Sequence, residues 1–121
     1  MKRDSFEYQV GLLMMAATGS DGDYTEKELN AMHFFLTKMF ETMGSNVDAN
    51  DFMNELIEDI QVYENDELAE KIQAASEFLL DAMDEKQLNM FYNGLREMAA
   101  VDGIARDEKE FLKQLKSIWF E

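Results

Sequence analysis

With 121 residues, the chain has the length of one domain with a single core, and the absence of proline and of low-complexity stretches gives no sign of a linker. Its 26 acidic and 11 basic side chains give a formal net charge of -15, which argues against binding to nucleic-acid phosphates or to anionic membranes. No cysteine is present, which excludes disulfides, thiolate nucleophiles and sulfur-ligated metals.

Apolar residues recur at three- and four-residue steps in six segments, which predicts six helices in chain order. The segments begin at Phe6, Leu29, Phe52, Leu68, Leu88 and either Phe111 or Leu112, and they end at Ala17, Met43, Tyr63, Leu79, Met98 and Trp119. Gly44-Ser45-Asn46 and Glu64-Asn65-Asp66 are the predicted breaks between the central helices. We therefore expect an all-α fold, a compact single-domain bundle of about six helices over residues 1–121.

Two pairs of residues have the spacing of a capping box, in which side chain and backbone satisfy each other's amide donors at a helix start. They are Thr25 with Glu28 and Asp84 with Gln87. The longest fully apolar run, Leu12 to Ala17, is too short to span a bilayer. We expect a cytoplasmic protein that does not insert into membranes.

Two acidic turns divide the chain into similar parts. Asp21-Gly22 and Asp102-Gly103 each follow a Met-Ala-Ala helix end, and each precedes a new helix. Two pseudo-repeated helix-turn-helix units would therefore bracket the third and fourth helices. If these units pack against each other, Asp21 and Asp102 lie close together despite their separation along the chain.

An EF-hand calcium loop is a competing interpretation of the first turn. With Gly22 at the sixth loop position, Glu28 falls at the twelfth, as a calcium loop requires. The first and third positions are then Ala17 and Gly19, which carry no carboxylate, and in the second turn Lys109 stands where the bidentate Glu should be. The ligand count disfavours an ordinary calcium sensor.

The two turns resemble those of the tellurite-resistance TerB-like family, from about Phe6 to Trp119. Met98-Ala99-Ala100-Val101-Asp102-Gly103 matches the family's turn more closely, and Asp21-Gly22 with Tyr24 and Glu28 matches better downstream. Thr18-Gly19-Ser20 lengthens the segment between the first Met-Ala-Ala and Asp21-Gly22, which departs from the family pattern. The resemblance implies an all-helical, bacterial, cytoplasmic module linked to tellurite resistance and stress responses.

The resemblance also implies a divalent-cation site made of carboxylates from both turns. Its candidate ligands are Asp21, Glu28, Asp102, and either Glu108 or Glu110. Clustered carboxylates repel one another unless a cation or protons neutralise them, and hard oxygen ligands favour calcium, magnesium or manganese. The structural alternative is that the two Asp residues cap turns while the Glu residues lie on solvated helix faces.

The chain lacks the residues that common catalytic sites need, and we expect that it is not an enzyme. His33 is the only histidine, and its place one turn after Leu29 predicts a core or boundary position rather than a general base. The alternative function is a metal-independent, acidic helical module for protein-protein interaction. The apolar residues off or beside the stripes are Met14, Phe34, Tyr92, Trp119 and Phe120. Core packing is the favoured interpretation of these residues, and only those that are exposed would mark a partner surface.

Overall fold

The computed structural model describes residues 5–18, 26–100 and 106–120, and these residues form six α-helices. In chain order the helices are α1 Phe6–Thr18, α2 Glu26–Met43, α3 Ala49–Ile60, α4 Asn65–Ala82, α5 Glu85–Ala99 and α6 Arg106–Phe120. No strand occurs within the three described ranges. The predicted all-α class and the predicted number of helices are confirmed.

Helix α1 lies at the centre of the bundle, where it contacts each of the other five helices. Apart from Gly11, residues 10–17 all carry apolar side chains, and a helix that is apolar on every side is stable only when it is surrounded. Burial therefore extends beyond the predicted stripe to Leu12 and Met15. Met14 is 0% exposed, which confirms core packing for this residue and excludes it from a partner surface.

The end of α2 is set by Gly44, which has a φ of 71°. Its N–H donates to the Glu41 carbonyl at 3.2 Å, and the N–H of Ser45 donates to the Phe40 carbonyl at 2.8 Å. These two bonds form a Schellman motif, which satisfies carbonyls that the helix would otherwise leave unpaired. The chain then turns towards α3, as the Gly44-Ser45-Asn46 break predicts.

Side-chain caps start α3 and α5, whereas Glu64 before α4 makes no side-chain capping bond. The Asp48 carboxylate accepts the Asp51 N–H at 3.0 Å at the start of α3. At the start of α5, Asp84 and Gln87 form both bonds of a capping box, which confirms that prediction. The other predicted capping box includes Thr25, which lies outside the described residues.

Two glycines allow helices to approach closely. A Cβ atom at Gly11 would lie 2.7 Å from Cδ2 of Leu56, and one at Gly94 would lie 2.7 Å from Cε2 of Phe35. The contacts α1–α3 and α2–α5 therefore depend on the missing side chain. The Phe35 ring packs on Phe91, with ring centroids 5.4 Å apart, so that Gly94 also helps to place the aromatic core.

Trp119 connects α6 to this core and to α4. Its ring centroid lies 5.6 Å from that of Phe91, and its Nε1–H donates to the Ser76 carbonyl at 2.9 Å. The indole is only 6% exposed, which confirms core packing for Trp119 and excludes it from a partner surface. Tyr92 and Phe120, which pack edge-on at 5.6 Å, are half-buried.

Candidate functional site

The described residues include only part of the predicted cation site. Asp21 and Asp102 lie outside them, and Glu108 belongs to α6 with its side chain outside the described part. Glu28 is half-buried in the first turn of α2, and Glu110 is exposed on α6. Among the residues that the structure describes, no three His, Asp or Glu side chains are grouped so that they could hold a metal ion. The cation site stays a prediction.

The ends of two helices that adjoin the acidic turns border one cleft, which lies between α4 and α6. Met15 and Ala16, in the last turn of α1, line this cleft together with Phe111 in the second turn of α6. The first acidic turn follows α1 directly, and the second precedes α6.

A groove of about 460 Å³ lies between α2 and α5, and we call it the α2/α5 groove. Phe35, Met39 and Met98 are among the apolar residues that line it. At its rim Phe34 is 64% exposed and Met90 is 45% exposed. Of the residues off or beside the predicted stripes, Phe34 therefore has the exposure that a partner surface requires.

A second depression of about 360 Å³, the α4/α6 cleft, lies between α4 and α6 and has α1 as its floor. Leu12 of α1, Ile72 of α4 and Ile118 of α6 contribute apolar surface. Gln73 and Gln114 are exposed polar residues of the same lining. The cleft thus combines an apolar floor with polar groups at its mouth.

Negative charge is concentrated in one part of the chain. The segment 48–84, which includes α3 and α4, carries twelve acidic side chains and one basic side chain, Lys71. On α4, Asp66 and Glu77 are exposed next to Gln73, at the edge of the cleft. The Gln73 Nε2 group donates to Oε1 of Glu77 at 3.4 Å, which places this carboxylate beside the cleft.

A polar cluster joins α1 to the end of α3. The buried Tyr8 donates a hydrogen bond of 2.6 Å to Oδ2 of Asp59. Burial raises the pKa of the Tyr8 hydroxyl above its ordinary value of 10.0, and interactions with Asp59 and Tyr63 raise it further. Tyr8 therefore stays protonated at neutral pH, where it acts as a hydrogen-bond donor and not as a base or nucleophile.

One feature of the sequence, a tyrosine within the apolar first helix, points to this cluster, although apolar spacing does not identify it. A tyrosine inside an apolar helix needs a polar partner when it is buried. The spacing of residues could not identify Asp59 as that partner, because the two residues are 51 positions apart. The Lys71 Nζ atom lies 4.8 Å from the Tyr63 ring centroid, so α4 also contacts this region.

The prediction of a core or boundary position for His33 is wrong, because its side chain is exposed. The buried stripe of α2 runs through Met32, Leu36 and Met39. His33 lies beside that stripe, on the side that faces solvent near the connection to α3. Its carbonyl accepts the Thr37 hydroxyl at 2.8 Å, which is a bond within the helix.

None of the described helices combines the length and the apolar character that a membrane crossing needs. No protein-family model, no curated protein and no solved structure matches this chain.

Proposed function

We propose that this protein is a non-enzymatic helical module that binds another protein through an apolar groove on its surface. The observation that carries the proposal is the α2/α5 groove, with Phe34 and Met90 exposed at its rim. Its lining on α2 extends from Ala31 to Thr42, which corresponds to roughly 16 Å along the helix axis. A long apolar groove between two helices fits the apolar face of an amphipathic helix.

Peptides of defined sequence test this function. Fluorescently labelled amphipathic helices, one basic and one acidic, are titrated with the protein in the presence of EDTA, and a Gly/Ser peptide of equal length is the control. We expect saturable binding of at least one amphipathic peptide, unaffected by the chelator. If neither amphipathic peptide binds more tightly than the Gly/Ser control, the interaction module is rejected.

A second candidate function is the cytoplasmic stress-response module that the TerB-like resemblance implies. In this proposal Asp21, Asp102, Glu28 and either Glu108 or Glu110 bind calcium, magnesium or manganese. The packing of α1 against α6 supports it, because the helix ends that adjoin the two acidic turns border the same cleft. Cation binding would offset the repulsion between the clustered carboxylates.

Thermal unfolding with and without each cation tests the second function. At a free cation concentration about 100 times the dissociation constant, we expect the folded state to gain about 2.7 kcal/mol. Asp21→Asn combined with Asp102→Asn should abolish this gain. Asp66→Asn combined with Asp81→Asn, two exposed acidic residues of α4, is the control with the same change in charge.

Sodium chloride at matched ionic strength separates cation binding from charge screening. A midpoint that does not respond to any of the three cations contradicts the cation site. A gain in stability that survives the Asp21/Asp102 double replacement contradicts it equally.

A further inference from the structure

We infer that the α4/α6 cleft binds a basic amphipathic helix of a partner protein. This inference rests on the proposed interaction module, and it assigns to that module a binding site besides the α2/α5 groove and the chemistry of the ligand that binds there. The apolar floor and walls, which include Leu12, Ile72 and Ile118, need apolar side chains from the ligand. A helix with apolar residues at three- and four-residue steps supplies them in one stripe.

Charge complementarity identifies the ligand as basic. Asp66 and Glu77 form an exposed acidic row on α4 beside the cleft, with Gln73 between them, and the hydrogen bond from Gln73 places the Glu77 carboxylate at its edge. A helix with its apolar stripe in the cleft directs its flanking side chains towards this row. Lys or Arg at those flanking positions would be attracted, and Asp or Glu would be repelled.

The lysines of α6 do not neutralise the negative electrostatic potential that the acidic row of α4 produces at the cleft. Lys109, Lys113 and Lys116 are exposed at four- and three-residue steps. At 100° per residue this row lies on the opposite side of the α6 axis from Phe111 and Ile118, which line the cleft. These three lysines, which could attract an acidic ligand, therefore face away from the cleft.

The lining of the α2/α5 groove does not favour a basic ligand over an acidic one. Its lining contains one basic and one acidic residue, Lys38 and Glu97. The Lys38 Nζ atom lies 5.2 Å from the Phe34 ring centroid, so this cation covers part of the apolar rim. A basic amphipathic helix is therefore expected in the α4/α6 cleft and not in the α2/α5 groove.

Fluorescence anisotropy with three synthetic peptides at about 0.15 M salt tests the inference. The first peptide is an amphipathic helix of Leu and Lys, the second has the same composition in an order without an apolar stripe, and the third has Glu in place of Lys. We expect the first peptide to bind at least about tenfold more tightly than either of the others. Equal binding of the scrambled peptide, or tighter binding of the Glu peptide, overturns the inference.

Two double variants with the same change in charge locate the binding site. Gln73→Lys with Gln114→Lys places two cations at the mouth of the α4/α6 cleft. Thr42→Lys with Asn93→Lys does the same at exposed positions of the α2/α5 groove. We expect the first pair to weaken binding of the basic peptide about tenfold or more, and the second pair by less than about threefold.

The opposite result, with binding lost only in the Thr42/Asn93 variant, overturns this inference and leaves the interaction module intact. If no amphipathic peptide binds, both proposals fail. Amide chemical shifts of the unmodified protein give an independent location for the basic peptide. The largest changes are expected at Ala69, Gln73 and Gln114, and changes confined to α2 and α5 would overturn the inference even if a variant failed to fold.

Discussion

The hydroxyl of Tyr8 donates a hydrogen bond of 2.6 Å to Oδ2 of Asp59, which joins the central helix α1 to the last turn of α3. Tyr8 is 1% exposed, so water does not compete effectively for this bond. A hydrogen bond to an ionised carboxylate is stronger than one between neutral groups. The pair therefore helps to fix the position of α3 on α1.

Tyr8→Phe removes this hydrogen bond and keeps the ring. We expect it to lower the free energy of unfolding by about 1 to 2 kcal/mol, because the half-buried Asp59 carboxylate loses a strong donor. Denaturation by urea measures the change. Tyr92→Phe, which keeps the ring contact with Phe120, is the control. Equal losses in the two variants would contradict a specific role for the Tyr8–Asp59 bond.

The raised pKa of Tyr8 predicts a loss of stability at alkaline pH. The folded protein holds the Tyr8 proton above pH 10, where the unfolded chain has released it, so the contribution of this group is present below about pH 10 and declines above it. The difference in unfolding free energy between the unmodified protein and Tyr8→Phe should shrink by up to about 1.4 kcal/mol per pH unit above pH 10. Urea denaturation of both proteins from roughly pH 8 to pH 11, a range around the ordinary pKa of tyrosine, measures this difference. A difference that does not change with pH would contradict the raised pKa of Tyr8.

Gly44→Ala tests the left-handed residue that ends α2. No atom lies within 4 Å of a Cβ placed at this position, so the cost comes from backbone strain and not from a steric clash. We expect a loss of about 1 kcal/mol, measured by thermal unfolding. Gly44→Asn should lose less, because asparagine tolerates positive φ better than alanine does. A larger loss for asparagine than for alanine would contradict this explanation.

Asp84→Ala removes the side-chain acceptor of the capping box at the start of α5. We expect a loss of about 1 kcal/mol in the free energy of unfolding. Asp81→Ala, in the last turn of α4, removes the same charge where a negative group is unfavourable to the helix dipole, and should cost nothing or stabilise slightly. If urea denaturation gives the same loss for both, the capping bonds do not explain the effect.

Local pattern was sufficient for much of the fold. Apolar spacing predicts the buried stripe Leu88, Phe91, Leu95 and Met98 of α5, and the structure buries all four. The Asp84–Gln87 capping box and the helix end at Gly44 are confirmed as well. These features depend on residues within one or two turns of each other, so their physical causes are visible in a short window of sequence.

Tertiary packing decided the features on which function depends. The sequence by itself determined that the chain forms six amphipathic or apolar helices and that its acidic residues concentrate in segment 48–84. Only the packing made α1 the centre, buried Met14, left His33 in solvent and brought Tyr8 to Asp59. The two grooves also depend on tertiary packing, because each one is the space between neighbouring helices. Which helices become neighbours depends on complementary side-chain shapes across the whole core, and helical periodicity does not predict this.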